Sequence, residues 1–412
     1  MRILALNQFY PPDHAATAQL LGDLCEGLAA EGHDVSVITS RGTYLGGRSL
    51  PRRETLSRVA VLRSWATSLG KATLLHRLAD YGSFWGSSLF DLVRVARPDV
   101  VLALTTPPMI ASGVAVVAAG RRVPLVTWVQ DIYPETAAQL GVLDEGAPAY
   151  RTLLRLSAWT HRRSTRIVAL SKGMAHRLEA QGADAGRVRV IPNWADGSEL
   201  APLARETNPF RAEHGLGDAF VAMYSGNLGM GHDVATLVQA ARQLATSCPR
   251  AEVVFVGDGA RRSEAEQMAA GLPNVRFLPY QPRERLAESL SAADVHVVTL
   301  RPELEGFLVP SKLYGALASA RPVCYVGPAG CEVASVVKQH DLGWAGPPGD
   351  AAGLASAIST LAGDTAHWSS MCRRARQVFS ERYDRPVALR HWVGVLEEAV
   401  RTFGTGETPE PV

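Results

Sequence analysis

The stretch Arg301–Val323 (RPELEGFLVPSKLYGALASARPV) places one lysine and two glutamates directly after a short apolar strand. In open α/β sheets, the loop between the carboxyl end of a strand and the next helix is where ligands bind. Lys312, at the predicted helix start, adds a positive charge beside free backbone N–H groups, which suits a diphosphate. Glu303 and Glu305 lie just upstream, where they can reach sugar hydroxyls or a developing cation. The alternative is an ordinary loop–helix junction with a solvated lysine.

Two other strand ends in the first half carry polar residues. The predicted strand Val123–Val129 runs directly into QDIYPE, which makes Asp131 and Glu135 candidate active-site carboxylates. The alternative roles are a helix N-cap and a favourable charge in a first helical turn. The loop after the first strand holds His14 and Thr17 near a helix start, where a ligand phosphate or sugar fits. A plain surface role is the alternative for both.

Short apolar segments alternate with helical patterns, which predicts an α/β fold with parallel sheets and right-handed crossovers. The strands predicted for the first half are Arg2–Asn7, Val35–Thr39, Val59–Arg63, Asp99–Leu104, Val123–Val129, Arg166–Leu170 and Val188–Ile191. Those predicted for the second half are Phe220–Ser225, Glu252–Val256, Val275–Leu278, Val295–Leu300 and Pro322–Val326. We therefore predict two domains, residues 1–200 and 201–385. A last helix, 386–403, is expected to pack back on the first domain, followed by a tail, 404–412.

Composition and cysteine spacing exclude several classes of protein. A chain of 412 residues with 47% hydrophobic residues is typical of two globular domains with sizeable cores. Five cysteines without a CxxC pair argue against a disulfide framework, and no DxD or His/Cys/Asp cluster indicates a metal. The sequence contains no apolar run of about 18 residues, no signal-peptide pattern and no nucleic-acid-binding module. We therefore expect a cytoplasmic protein that uses no cofactor.

Residues 41–97 interrupt the regular pattern and are strongly basic. They hold ten Lys or Arg against three Asp or Glu, whereas the net charge of the whole chain is +2. After the predicted strand Val59–Arg63, large apolar side chains alternate with basic ones at roughly helical spacing. This pattern suits either a membrane interface or one or two amphipathic helices packed on the sheet. Both remain open, and an anionic partner such as a phosphorylated lipid is expected for the first half.

Taken together, these motifs resemble family 4 glycosyltransferases of the GT-B fold, which use nucleotide-sugar donors and retain the anomeric configuration. The resemblance is carried by YPP (Tyr10–Pro12), LAAEGHDVSVITS (Leu28–Ser40), VQDIYPE (Val129–Glu135), VIPNW (Val190–Trp194), YSGNLG (Tyr224–Gly229), VGDG (Val256–Gly259), VRFLPY (Val275–Tyr280), SAADVHVV (Ser291–Val298) and VPSKLYGALASARPV (Val309–Val323). TTPP, QDIYPE and VPSKLYG are similar to the branch that builds bacterial surface polysaccharides, such as the fucosamine transferases. The resemblance implies two Rossmann-like domains facing across a cleft, the first for the acceptor and the second for the nucleotide sugar.

The resemblance also implies roles for individual residues. The donor-binding set is Gly226, Asn227, Gly257, Asp258, Gly259, Tyr280, Glu303, Ser311, Lys312 and Leu313. Within it, Ser311 and Lys312 fall closest to the diphosphate. Asp131 falls near the anomeric centre and the acceptor, and Glu305 or Glu303 is expected to hold hydroxyls of the donor sugar. Asp131 and Glu305 are therefore the predicted catalytic residues, and His14 and Thr17 belong to the acceptor side.

The chain departs from the family pattern at positions that matter for phosphate binding. The arginine and lysine that follow the first strand of the second domain would fall near Asn227 and Met230–Gly231, and neither cation is present. The second glutamate of the family's paired-glutamate motif is also absent, and the first-loop glycine pair appears as Ala15-Ala16. Lys312 is the expected replacement for the missing charge.

We predict a retaining glycosyltransferase that moves a sugar, with a UDP-sugar favoured, to a glycan or a polyprenyl-diphosphate-linked acceptor. It is expected to act at the inner face of the plasma membrane, which it contacts through residues 41–97. Two alternatives remain. The same scaffold supports a nucleotide-sugar 2-epimerase, because fold does not fix function. The missing phosphate-binding cations also suit a non-catalytic partner subunit.

Overall fold

The computed structural model describes residues 1–13, 15–43, 49–67, 69 and 74–405, and the chain divides into two compact units. Unit 1 comprises Met1–Pro192 and Ala388–Val412, and unit 2 comprises Asn193–Val387. The first passage between the units therefore lies a few residues before the predicted boundary at 200. His14, which was predicted to belong to the acceptor side, lies outside the described residues.

In the described part of unit 1, eight strands form one sheet. The strands are β1 (Arg2–Leu6), β2 (Asp34–Ser40), β3 (Arg53–Leu56), β4 (Val59–Ser64), β5 (Val100–Leu104), β6 (Leu125–Trp128), β7 (Arg166–Ala169) and β8 (Val188–Val190). Their order is β3-β4-β2-β1-β5-β6-β7-β8, and every pair is parallel except the β3–β4 hairpin. The central strands are buried on both faces, which is why they are continuous apolar runs such as VVLAL.

Helices cover the sheet of each unit. Those of unit 1 are α1 (Ala16–Ala30), α2 (Leu74–Arg94), α3 (Ile110–Arg121), α4 (Glu135–Gln139), α5 (Pro148–Arg163) and α6 (Lys172–Ala180). Those of unit 2 are α7 (Pro209–Glu213), α8 (Ala235–Ser247), α9 (Arg262–Met268), α10 (Leu286–Ser291), α11 (Lys312–Ala318), α12 (Glu332–Gln339), α13 (Ala351–Gly363) and α14 (Thr365–Arg382), and α15 (Arg385–Thr405) follows. None of the helices in the described ranges is long and apolar enough to span a membrane.

Unit 2 contains a parallel sheet of six strands within the described residues. They are β9 (Phe220–Ser225), β10 (Ala251–Val256), β11 (Val275–Leu278), β12 (Val295–Thr299), β13 (Val323–Val326) and β14 (Gly343–Gly346). Their order, β11-β10-β9-β12-β13-β14, corresponds to 3-2-1-4-5-6, the usual order of the Rossmann fold. The order reverses between β9 and β12, and ligands of such sheets bind at the carboxyl ends of the strands at this switch point. The two predicted Rossmann-like domains are confirmed.

Helix α15 packs on unit 1, as predicted. The indole of Trp392 is fully buried, with its ring centroid 4.7 Å from that of Trp128. Glu398 lies one and a half turns further along the helix and forms ion pairs with Arg166, at 3.0 Å, and Arg189, at 2.6 Å. Arg166 is almost fully buried, so this carboxylate neutralises a charge that would otherwise be costly inside the unit.

The described part of residues 41–97 contains the predicted strand, a packed helix and one strand that was not predicted. The predicted strand Val59–Arg63 is β4, but it pairs with an antiparallel partner, β3, that the sequence did not reveal. Further along, Leu74–Arg94 form one long helix, α2, that packs against α3 and the sheet, so the amphipathic-helix alternative holds for its inner face. Phe84, with no exposed surface, anchors that face in the core.

Candidate functional site

Two glycine-rich loops meet at the switch-point edge of the unit 2 sheet. Gly226 follows β9, and its N–H donates to the carbonyl of Val256 at 2.8 Å. Gly257 follows β10 with φ +134°, and a Cβ there would lie 2.2 Å from the Gly226 carbonyl oxygen. Gly259 has φ +150°, and its Cβ would collide with the Leu228 carbonyl oxygen at 2.6 Å. Only glycine allows these two loops to pack backbone against backbone.

Lys312 reaches across the switch point from the start of α11 to the loop after β9. Its Nζ lies 3.3 Å from the carbonyl oxygen of Asn227 and 3.1 Å from Nε2 of His232. The ammonium also lies 4.8 Å from the ring centroid of Tyr224, within cation–π range. Among the described residues, no carboxylate lies within 4 Å of it. Desolvation lowers the pKa of Lys312 to about 7.

The positive charge of Lys312 therefore stands where the sequence comparison found two cations missing. The loop after β9 lacks an arginine or lysine at Asn227 and at Met230–Gly231, yet the lysine from α11 reaches the backbone of that same loop. The predicted replacement is geometrically possible because β9 and β12 are neighbours in the sheet.

The two candidate glutamates point to different neighbours. Glu303 is exposed and faces Arg301, with its Oε2 3.4 Å from that guanidinium. The side chain of Glu305 is directed instead toward the loop after β13, where its Oε1 would lie 2.0 Å from a Cβ built on Gly330. No contact joins either carboxylate to Lys312. Of the two, Glu305 lies against the backbone of the loop after β13 at Gly330.

The predicted nucleobase-side residues lie on the neighbouring strand ends. Tyr280 follows β11, is half exposed, and its hydroxyl donates to the Asp258 carbonyl at 3.3 Å. The Asp258 carboxylate caps its own loop by accepting from the Gly259 N–H at 2.7 Å. The carboxyl ends of β9, β10, β11 and β12 thus bring most of the predicted donor-binding residues to one edge.

The structure limits what two members of that set can do. The side chain of Leu313 is fully buried, so it packs inside the unit and cannot present its side chain to a ligand. Ser311 precedes α11 and is exposed, but its side chain does not cap the helix. Helix α11 is only seven residues long. The lysine side chain is therefore a better-supported anion contact than the helix terminus.

Asp131 lines a small cavity within unit 1. The cavity measures about 30 Å³ and is also lined by Tyr133, Thr127 and His161. Burial alone raises the pKa of Asp131 to about 6. His161 is buried too, and its pKa is lowered to about 4. A carboxyl desolvated in this way is a frequent mark of a functional group.

The other predicted residues of unit 1 have plainer surroundings. Thr17 lies half-buried in the first turn of α1, as expected from its position after the first loop. Glu135 is buried at the start of α4 and accepts a hydrogen bond from the Gln181 amide. This position fits the alternative role for Glu135, in which its carboxylate is a favourable charge in the first turn of a helix. In the described part of the chain, no group of three or more His, Cys, Asp or Glu side chains could hold a metal ion.

His232 is a site residue that the sequence reasoning missed. Its Nδ1 lies 2.7 Å from the carbonyl oxygen of Thr299, at the end of β12, while its Nε2 faces Lys312. Desolvation, followed by the charge of Lys312, lowers the pKa of His232 to about 3. The sequence did show a single histidine in the loop GNLGMGHD, but the partner of His232, Lys312, lies 80 residues away in the sequence.

Unit 2 has a parallel sheet in the nucleotide-binding order with a basic site at its switch point, and unit 1 has a sheet that is parallel except for the β3–β4 hairpin. Two such units in one chain are typical of the GT-B fold. A protein-family profile described as "Glycosyl transferase 4-like domain" matches residues 16–194, and one described as "Glycosyl transferases group 1" matches residues 219–364. The chain belongs to the GT-B glycosyltransferases. The narrower resemblance to fucosamine transferases stays a prediction.

Curated relatives agree with this assignment. The probable glycosyltransferase WbjE of Pseudomonas aeruginosa is 29% identical over 306 residues, which cover 74% of this chain and 75% of the relative. The putative colanic acid biosynthesis glycosyl transferase WcaI of Escherichia coli K12 is 26% identical over 333 residues, covering 77% and 81%. Both similarities extend over most of each chain.

Solved structures share the fold at low sequence identity. HepE from Anabaena, crystallised with UDP and glucose, has a TM-score of 0.73 at 20% identity, covering 96% of this chain and 99% of its own. Sucrose-phosphate synthase from Thermosynechococcus elongatus has a TM-score of 0.76 at 18% identity, covering 99% and 100%. At these identities the similarity establishes the fold alone.

Proposed function

We propose that this glycosyltransferase moves a sugar from a nucleoside-diphosphate sugar, with UDP as the favoured nucleotide, to a glycan or lipid-linked sugar, with retention of anomeric configuration. The observation that carries the proposal is the Lys312 ammonium, half-buried at the switch-point edge without a carboxylate partner among the described residues. A cation in such a place is matched by an anionic ligand. The UDP and UDP-glucose complexes of HepE support the nucleotide, and the name of WcaI supports polysaccharide biosynthesis.

In this mechanism the bond between the anomeric carbon and the diphosphate oxygen breaks, and its electron pair leaves with the diphosphate. Lys312 stabilises the charge that develops there, which is the main task of the protein. The acceptor hydroxyl attacks the same face of the sugar, and its proton passes to the departing phosphate oxygen. Glu305 holds hydroxyls of the donor sugar, and Asp131 orients the acceptor hydroxyl. No nucleophilic carboxylate is needed.

The donor half of the proposal is tested by binding. Thermal unfolding is measured with UDP, GDP, dTDP, CDP and ADP, and with AMP and NAD as controls, because a ligand of the native state raises the midpoint. UDP is expected to give the largest shift. Lys312→Met should weaken UDP binding by about tenfold to a hundredfold, the range for a hydrogen bond to a charged group. The control is Lys338→Met, which changes an exposed lysine at the far end of α12. Equal UDP affinity in the two variants would contradict the diphosphate site.

The transfer half is tested by products. With a UDP-sugar and a lipid-linked acceptor, the wild type should form a glycoside with the anomeric configuration of the donor. Asp131→Asn should lower turnover by about a hundredfold, the scale of losing the alignment of a reacting group. Inverted product would refute the retaining mechanism. Isomerised donor without any acceptor would favour the epimerase alternative.

We also propose that unit 1 meets its lipid-linked acceptor at an anionic membrane surface, through the outer face of α2. Four large apolar side chains on this helix are more than half exposed: Leu75, Leu78, Phe90 and Val93. Trp65 and Leu69 lie beside the helix and are equally exposed. Apolar side chains flanked by arginines favour insertion at the headgroup level.

The charge of this face fits the same partner. Arg77 and Arg94 are exposed on α2. The two acids of the helix are engaged inward, since Asp80 accepts from Thr67 at 2.7 Å and Asp91 accepts from Ser64 at 2.7 Å. In the described part of this region, the outer face therefore presents exposed apolar side chains together with exposed arginines.

Vesicle sedimentation tests this surface. The wild type should bind vesicles rich in phosphatidylglycerol and release them at high salt, with little binding to phosphatidylcholine. The double change Leu75→Gln and Leu78→Gln should abolish binding. Val142→Gln, which changes an equally exposed valine elsewhere in unit 1, serves as the control. Undiminished binding by the double variant would refute the proposed surface.

A further inference from the structure

His232 is held in one tautomer by its surroundings. Its Nδ1 lies 2.7 Å from the Thr299 carbonyl oxygen, which can only accept, so Nδ1 carries the hydrogen. The low pKa of the ring keeps it neutral at physiological pH, and Nε2 is then a free acceptor. That acceptor lies 3.1 Å from the Lys312 ammonium. The contact is therefore a directed hydrogen bond between a neutral ring and a charged donor.

Contacts to the backbone and to the ring hold His232 in place. Arg261 donates to the carbonyl oxygen of His232 at 2.6 Å. On the other side, the N–H of Arg301 donates to the carbonyl oxygen of Gly231 at 2.9 Å. Tyr224 packs its ring edge-on against the imidazole at 5.8 Å. His232 is thus fixed by backbone contacts on both sides and by the Thr299 carbonyl.

Lys312 needs such a fixed partner. A lysine side chain has four rotatable bonds, so holding it in one place costs conformational entropy. Its other contact, the Asn227 carbonyl, is longer at 3.3 Å and is shared with the hydroxyl of Tyr224, which donates at 2.8 Å. Opposite the lysine stem, Gly226 offers no side chain that could confine it.

We propose that His232 is the positioning residue that holds the Lys312 ammonium in place for the donor diphosphate, by accepting a hydrogen bond at Nε2 while Thr299 fixes the tautomer. The proposal rests on the proposed function, since it concerns the same diphosphate site. It adds that the lysine works as part of a pair. The ring acts through the lysine rather than by touching the phosphate.

The test is a double-mutant cycle on the diphosphate contribution to binding. Calorimetry gives the affinities for UDP and for uridine, and their ratio reports the diphosphate. His232→Phe keeps a ring but removes the acceptor, and it should lower this ratio about tenfold. His232→Gln restores an acceptor and should keep the ratio within about threefold of the wild type. His340→Phe, at the end of α12, is the control for loss of a histidine.

Coupling separates a positioning role from a merely structural one. If His232 acts through Lys312, the pair Lys312→Met and His232→Phe should bind UDP no more weakly than Lys312→Met alone. Additive losses, or failure of glutamine to rescue, would overturn the proposal while leaving the diphosphate site intact. If Lys312→Met itself leaves the ratio unchanged, or if the wild type binds UDP no better than uridine, the proposed function fails first. Should His232→Phe not fold, His232→Leu removes the same acceptor with less bulk.

Discussion

Replacing Asp131 with asparagine is expected to stabilise unit 1 while it lowers turnover. The carboxyl has a pKa of about 6 in the folded chain and 3.8 as its ordinary value, and burial is the cause. The folded state therefore binds more protons than the unfolded state between these two values, so the free energy of unfolding falls as pH rises through that window. Asparagine has nearly the same shape and carries no charge, so it avoids this cost.

The magnitude follows from the two pKa values. Above pH 7 the ionised carboxylate costs about 2–3 kcal/mol, with the lower figure allowing for the part of the side chain that still meets solvent. At pH 5 roughly half of that cost remains, because the folded carboxyl is then mostly protonated. The stabilisation by Asp131→Asn should therefore grow by about 1 kcal/mol or more between pH 5 and pH 8.

Urea unfolding followed by tryptophan fluorescence at both pH values measures this change, since five of the eight tryptophans, including Trp128, lie in unit 1. Asp34→Asn, at the exposed start of β2, controls for the loss of one negative charge. If the variant is not stabilised at pH 8, or is stabilised equally at pH 5 and pH 8, the inference that the Asp131 carboxyl is desolvated would be refuted. A variant that is more stable but inactive would identify Asp131 as a residue retained for function at the expense of stability.

Three further outcomes are expected. Because desolvation holds the pKa of Lys312 near 7, this side chain loses its charge in the free protein as pH rises above that value. The affinity of the wild type for UDP, measured by calorimetry, should therefore fall between pH 7 and pH 9. The affinity of Lys312→Met should not change over the same range. Gly257→Ala forces a Cβ against the Gly226 carbonyl at a positive φ and should cost about 2–3 kcal/mol of unfolding free energy, read as a lower urea midpoint. Glu398→Gln removes the counter-ion of Arg166 and should cost about 3 kcal/mol at pH 7. Desolvation opposes ionisation of Glu398, but its hydrogen bonds and ion pairs with Arg166 and Arg189 prevail and lower its pKa below the ordinary 4.5. The wild type should therefore lose this contribution as pH falls from 4.5 through the folded pKa. An unfolding series from pH 7 down to about pH 3 in both proteins checks it.

The sequence predicted the sheets well where burial dictates composition. Strands β9 and β11 have the predicted bounds, and the central strands differ by one or two residues at their ends. Strand β3 escaped because RETL is half exposed on an edge and contains no apolar run. Strand β14 escaped because GWAG carries two glycines and is also an edge strand. Edge position alone does not hide a strand, since β11 is also an edge strand and was recognised because three of the four residues of VRFL are apolar.

The site was predictable by position but not by contact. That Lys312 follows a strand end at the ligand edge could be read from the sequence, because strand–loop–helix order fixes the edge. Its contact with His232 could not, since it arises from the adjacency of β9 and β12 in the folded sheet. The different directions of Glu303 and Glu305 depend on side-chain rotamers, which spacing does not determine.

The path of the chain has a consequence for protein engineering. Unit 2 is one continuous stretch, 193–387, whereas unit 1 is assembled from two stretches because α15 returns to the first sheet. A fragment ending at Pro192 would lack the ring that packs on Trp128 and the carboxylate that faces Arg166. A chimaera with altered donor specificity should therefore be built by exchanging the 193–387 block between relatives, with both halves of the host unit retained.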